Sequence, residues 1–257
     1  PFGRNLAHEI HAQYGPAGII IANHVLAHVE SVSDVFAGVD ELLAYSGTAY
    51  VEVQYFPDLL LNNAFDLVYH EHRNFFTLKS LTHAAASHNL YVVDAHLTDR
   101  QGGSLRVKLT RRRVTTKRAQ TIMGSERWLT DTNVYAGLQG RAERLRTRLL
   151  QLLENERDMG HVVVGYGAPA KATTLLNFCG VGDDLVTWAL DTTQAKRDRF
   201  IPGTDIKIYS PGAIAREHVD TSLLLAWNYQ REIMRNEHQF TIDGGRWIVP
   251  VPAPVLL

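Results

Sequence analysis

The apolar positions of this chain change period repeatedly, and each change marks an element. Gly18-Ile19-Ile20-Ile21-Ala22-Asn23 is a continuous apolar run ending on a polar residue, the pattern of a buried parallel strand whose carboxyl end opens onto a site. Val35, Phe36, Val39, Leu42 and Leu43 then recur at helical spacing, with Ser33 as the expected cap. Residues 49–55 predict the next strand, stopped by Pro57. Residues 65–76 have no clean period, whereas 78–88 read as a helix. Residues 90–95 and 105–110 flank the turn signal Arg100-Gln101-Gly102-Gly103-Ser104 and predict an antiparallel pair.

The longest helical pattern covers 135–159, with Leu138, Ala142, Leu145, Leu149, Leu152 and Leu153 on one side. Beyond it the alternation resumes: a strand over 161–165, a helix from Ala170, then strands over 185–190, 221–227 and 247–250. The pattern predicts two α/β units, 1–134 and 160–257, connected by the helix 135–159.

Composition narrows the class. The 257 residues are 45% hydrophobic and 21% charged, with 26 Lys and Arg against 27 Asp and Glu. These values suit a globular protein with real cores and exclude a disordered chain. A net charge of -1 gives no electrostatic reason to expect nucleic acid or an anionic membrane as partner. The longest apolar run, 221–227, has strand length, so no membrane span is expected. One cysteine, Cys179, permits neither an internal disulfide nor a multi-cysteine zinc site, and a reducing cytoplasmic setting is the expectation. Pro1-Phe2-Gly3 has neither an initiator Met nor a leader pattern, and the chain is taken as processed or partial. The basic cluster Arg111-Arg112-Arg113 with Lys117 and Arg118 reads as a solvated loop before it reads as a phosphate site.

Two segments carry candidate chemistry. Val162-Val163-Val164-Gly165-Tyr166-Gly167-Ala168-Pro169-Ala170-Lys171 is strand, glycine turn and helix, with Asp191 at the end of the next strand where a dinucleotide fold keeps its ribose acid. The third glycine is missing, and Pro169 removes a backbone donor. Lys171, near a positive helix end, is unfavourable there unless an anion is close. Phosphate or nucleotide binding, a structural tight turn and NAD binding all remain open for this segment.

Tyr69-His70-Glu71-His72 sets four polar or ionisable side chains against Phe65, Phe75 and Phe76, where apolar walls tune acid-base groups. His24 and His28 follow the carboxyl end of the 18–23 strand. If the two segments converge, His28, Tyr69, Glu71 and His72 form one constellation. Metal binding by His70, Glu71 and His72, or by His24 and His28, is the rival reading, and no HExxH pattern or cysteine partner supports it.

Four segments together resemble a known family. They are Phe65-Asp66-Leu67-Val68-Tyr69-His70-Glu71-His72; Gly102-Gly103-Ser104-Leu105-Arg106-Val107; the 165–171 turn with Leu175-Leu176-Asn177-Phe178-Cys179-Gly180; and Gly244-Gly245-Arg246-Trp247-Ile248-Val249-Pro250. In this order they are similar to the S-adenosylmethionine-dependent sugar C-methyltransferases, which act on nucleotide-linked keto-deoxysugars. The resemblance implies part of a class I, Rossmann-like methyltransferase domain over 1–134 and a second Rossmann-like α/β domain, holding the nucleotide sugar, over 160–257. It also implies that a four-cysteine zinc module and the glycine-rich S-adenosylmethionine loop precede Pro1, so zinc belongs only to that module. The 165–171 turn then belongs to the second domain.

By the same resemblance His72 is the general base, with Tyr69, Glu71 and His28 beside it. Asn23 lies near S-adenosylmethionine, while Lys171 and Lys196 face the nucleotide diphosphate. Gln101 stands where the family has His, and Arg106 is either an ion-pair residue or a substrate ligand. The expected reaction methylates a carbon next to the ketone of a dTDP-linked deoxysugar. A histidine suits removal of the acidic proton, a Tyr69 hydroxyl or His28 ring N–H suits the enolate oxygen, and Glu71 orients a histidine. No obligate protein partner is inferred. An NAD(P)-dependent oxidoreductase built on 165–171 and Asp191, or an inactive nucleotide-sugar-binding fragment, are the alternatives.

Overall fold

The structure, a computed structural model, describes residues 1–212 and 218–257. The chain forms two compact units, Pro1–Leu59 with His70–Val134 and Leu60–Tyr69 with Tyr135–Leu257.

The first unit contains α1 (Arg4–Tyr14), β1 (Ala17–Asn23), α2 (Val32–Leu42), β2 (Leu43–Gln54) and the start of α3 (Phe56–Leu61), which runs into the second unit. It continues with α4 (Leu78–Ala86), β3 (Tyr91–Thr98), β4 (Ser104–Thr110) and α5 (Lys117–Ser125). The sheet order is β1-β2-β4-β3. β1 is parallel to β2, and β4 lies between β2 and β3, antiparallel to both, so the expected 90–95 and 105–110 pair is present. Leu26, Phe36, Leu78, Leu81, Leu105 and Leu109 fill the core.

Three local expectations change. β1 is parallel but forms a sheet edge among the described residues, leaving Ile19 65% and Ile21 66% exposed rather than buried. Ser31, not Ser33, caps α2, its Oγ accepting from Asp34 N at 3.0 Å. Ser33 instead uses its Oγ on His88 Nε2 at 2.8 Å. Leu43 opens β2 instead of ending the helix, because the chain turns extended there and its side chain joins the core.

The second unit holds α6 (Asn133–Asp158, from Tyr135 onward), β5 (Val163–Tyr166), α7 (Ala170–Cys179), β6 (Trp188–Leu190), β7 (Lys207–Tyr209), β8 (Thr221–Leu224), α8 (Gln230–Asn236), α9 (His238–Ile242), β9 (Arg246–Val249) and β10 (Val255–Leu256). Its sheet order is β10-β9-β8-β5-β6-β7, parallel except for β10. From β5 the chain crosses through α7 to β6 on one side, while β8 flanks β5 on the other. The strand order therefore reverses between β5 and β8. The α6 face carrying Leu145, Leu149 and Leu153 is buried, as the apolar spacing predicts. No helix among the described residues is long and apolar enough to cross a membrane.

Candidate active site

The two histidine segments of the first unit converge, and the backbone brings them together. Arg73 N and Asn74 N both donate to Ala27 O, at 2.8 and 3.2 Å. The Asn74 carboxamide donates to Leu26 O at 3.2 Å and Val29 O at 2.9 Å, clasping the turn that carries His28. Arg73 adds an exposed ion pair to Glu30 at 2.8 Å. The start of α4, which follows the string, is fixed by the Thr77–Ser80 capping box and by buried Glu126, which accepts from Lys79 N at 2.9 Å.

This stitching leaves the His28 and His72 ring centroids 5.0 Å apart, with Phe75 edge-on to His72 at 6.4 Å. His72 is buried and His28 exposed. His28 Nδ1 lies 3.1 Å from Glu71 O. A carbonyl only accepts, so Nδ1 carries a proton and its N–H points at Glu71 O. The Glu71 carboxylate sits 4.0 Å from exposed His70. Glu71 therefore orients His28 through its main chain. Tyr69, the last residue of the Leu60–Tyr69 stretch, belongs to the second unit and is half-buried.

Asn23 is exposed at the carboxyl end of β1, and the chain bends directly after it at His24, whose φ is 54°. His24 Nε2 lies 3.4 Å from Oε1 of buried Glu52, and Arg106 Nε donates to Glu52 Oε2 at 2.6 Å. Of the two roles open to Arg106, the structure shows the ion pair. Gln101 takes a left-handed φ of 54° in the turn before β4. Two cations of the basic cluster are paired within the unit, Arg111 with Asp40 and Arg118 with Asp94, and Arg113 lies over the Tyr91 ring at 4.7 Å. Among the described residues no group of three or more His, Cys, Asp or Glu is arranged to hold a metal.

In the second unit the glycine turn has structural reasons for its glycines. A Cβ on Gly165 would come within 2.8 Å of Leu225 Cδ1, and Gly167 has a φ of 83° with Ala226 Cβ at 2.8 Å from the same imagined atom. Asp191 accepts from Ala168 N at 2.9 Å, Thr193 N at 2.8 Å and Lys196 Nζ at 3.0 Å. Both oxygens are engaged, so this carboxylate closes the turn. Burial pushes it up, yet these hydrogen bonds win and hold it below its usual value. The oxidoreductase reading loses its main support here.

Lys196 also donates to Ala168 O at 2.9 Å and keeps 38% of its side chain exposed. Lys171 is only 4% exposed. Its Nζ donates to Asn228 Oδ1 at 2.5 Å and lies 3.8 Å from the Trp227 ring centroid, so its charge faces inward. Sequence reasoning missed Asn74, Glu52 and Asp66 as organising groups. The last two stood out only as lone carboxylates inside apolar strings, Val51-Glu52-Val53 and Phe65-Asp66-Leu67.

Residues 99–252 match the family model of the C-methyltransferase C-terminal domain, and residues 2–95 match a methyltransferase domain. The chain is similar to the C-methyltransferase NovU of Streptomyces niveus, with 37% identity over 258 positions, 98% of this chain and 61% of NovU. It thus spans about three fifths of that relative's length.

Proposed function

Because this chain belongs to the C-methyltransferase family, we propose that its histidine pair removes a proton from the carbon beside the ketone of a nucleotide-linked deoxysugar, making that carbon the methyl acceptor. The observation that carries this reading is the packed His28–His72 pair, one ring buried beside Phe75 and the other oriented by its Nδ1 bond to Glu71 O. Two imidazoles at an apolar wall suit proton transfer near neutral pH.

His72 takes the proton. Loss of that proton puts negative charge on the ketone oxygen, which needs a donor. The Tyr69 hydroxyl, three residues before His72, fills that role. His28 serves as the second acid-base group, able to receive a proton from the site. S-adenosylmethionine, when bound, supplies the electrophilic methyl. The exposed Asn23 carboxamide at the carboxyl end of β1 offers both a donor and acceptors, which fits the polar groups of such a cofactor.

The second unit binds the nucleotide of the substrate, taken as dTDP. Lys196, partly exposed beside the start of α7, contacts the diphosphate, whereas the buried Lys171 amine is turned to Asn228 and the Trp227 ring. Calorimetry with S-adenosylhomocysteine, thymidine diphosphate and NAD⁺ tests the reading. Binding of the first two and not the third is expected. Binding of NAD⁺ alone would overturn it, and thymidine diphosphate alone would mark an inactive nucleotide-binding fragment.

A further inference from the structure

The strand order of the second unit reverses between β5 and β8, and the carboxyl ends of strands at such a reversal form the crevice in which open α/β sheets bind ligands. Here the two segments leaving that crevice are α7, carrying Lys171, and the turn after β8, carrying Trp227 and Asn228. What fills it is the chain itself. The turn Phe65–Leu67 packs on α7 through Phe65 and Phe178, rings 4.7 Å apart. Asp66, 0% exposed, accepts from Trp227 Nε1 at 2.6 Å through Oδ2. Lys171 lies over the face of the same indole. One tryptophan thus holds an anion at its N–H edge and a cation on its π face, as the ring's charge distribution favours.

We propose that this crevice is a clamp for the chain's own Phe65–Leu67 turn, and that Asp66, Trp227 and Lys171 are positioning residues that fix Tyr69, three residues beyond Asp66.

The arrangement is poor as a stability device. Asp66 Oδ1 is buried with no hydrogen-bond partner among the described residues, and burying charged groups seldom outperforms well-packed apolar residues. Burial raises the Asp66 carboxyl, against Lys171 and the Trp227 hydrogen bond, and burial lowers Lys171 to about 7 despite Asp66. Such a cluster makes sense where it selects one geometry. The adjoining stretch is tied down as well: Asn63 Nδ2 donates to Arg141 O at 3.3 Å and Arg141 to Leu60 O at 3.4 Å. Val68 N closes the turn on Phe65 O at 2.9 Å, one residue before Tyr69.

The clamp rests on the proposed function only for the part given to Tyr69. The test uses the whole chain with ring-labelled tyrosine, the Tyr69 signal being assigned by Tyr69→Phe. Asp66→Asn keeps an acceptor for Trp227 but removes the charge, and Trp227→Phe keeps the ring but removes the N–H. Both should shift or broaden the Tyr69 signal without ligand while first-unit tyrosines stay unmoved. Turnover on a dTDP-linked keto-deoxysugar should fall about tenfold in Asp66→Asn, with thymidine diphosphate affinity within about twofold of wild type. Adding Lys171→Met to Asp66→Asn should restore part of the Tyr69 signal, because the unpaired buried charge is gone. An unchanged Tyr69 signal in both single variants would overturn the clamp. So would loss of thymidine diphosphate binding in Lys171→Met with Tyr69 undisturbed, which would make the crevice a nucleotide site. The tyrosine signal is read without ligand, so it decides the clamp whether or not the chain takes the nucleotide.

Discussion

His28 and His72 stand 5.0 Å apart because the backbone of 71–74 is bonded to the turn 26–29, and the side chain at the centre of that bonding is Asn74. Asn74→Ala would strip two carbonyls of their donor. A loss of about 1–3 kcal/mol in a urea titration is expected, together with reduced turnover as the pair loosens. His72→Ala should lower turnover by about 10²-fold or more with little change in thymidine diphosphate affinity, if the ring is the base. Asp94 shows the same residue-level logic in acid. Burial pushes its carboxyl up, but hydrogen bonds from Arg118 and Thr116 outweigh this and hold it at about 2, below the ordinary 3.8. A depressed folded pKa stabilises the protein above 3.8 and ceases to do so as pH falls toward 2. Asp94→Asn should therefore flatten the stability profile across that window, as measured by chemical unfolding at each pH.

At the scale of elements, periodicity made most of the sheet and the long helix legible: β1, β4, α6, β5 and β9 all lie where apolar spacing puts them. Caps were less legible. Ser31 and Ser33 are both acceptable cap residues, and only tertiary bonding chose between them, by giving Ser33 to His88. Ser31→Ala should cost about 1 kcal/mol of unfolding free energy, and Ser33→Ala less. The short strands β7 and β10 gave no signal because three and two residues contain no full alternation to read. The glycine turn was legible as a turn but open as to purpose. Its purpose is set by what lies across from it: Ala226 against Gly167, and an Asp191 already engaged by Ala168, Thr193 and Lys196. Gly167→Ala, at positive φ and in close contact, should destabilise by at least about 1 kcal/mol in the same assay.

At the scale of the whole molecule, balanced charge gives no electrostatic reason to expect a polyanion such as nucleic acid as partner. The string 69–72 was conspicuous in the sequence as chemistry. Its partner His28 was a conditional member, since 43 residues separate the bonded positions and no periodicity reports such a contact. Asp66 escaped notice because a carboxylate between Phe65 and Leu67 looks like a surface break until Trp227 is seen beside it. In the proposed function the histidine site is the base for the carbon beside a ketone. Base action needs no methyl donor, so the direct measurement is solvent deuterium uptake by a dTDP-linked 4-keto-deoxysugar, followed by proton NMR in the absence of S-adenosylmethionine. Exchange at one carbon adjacent to the ketone, faster than in buffer and lost in His72→Ala, is the expected result. No enhanced exchange with the wild-type protein, or equal exchange with His72→Ala, would contradict it.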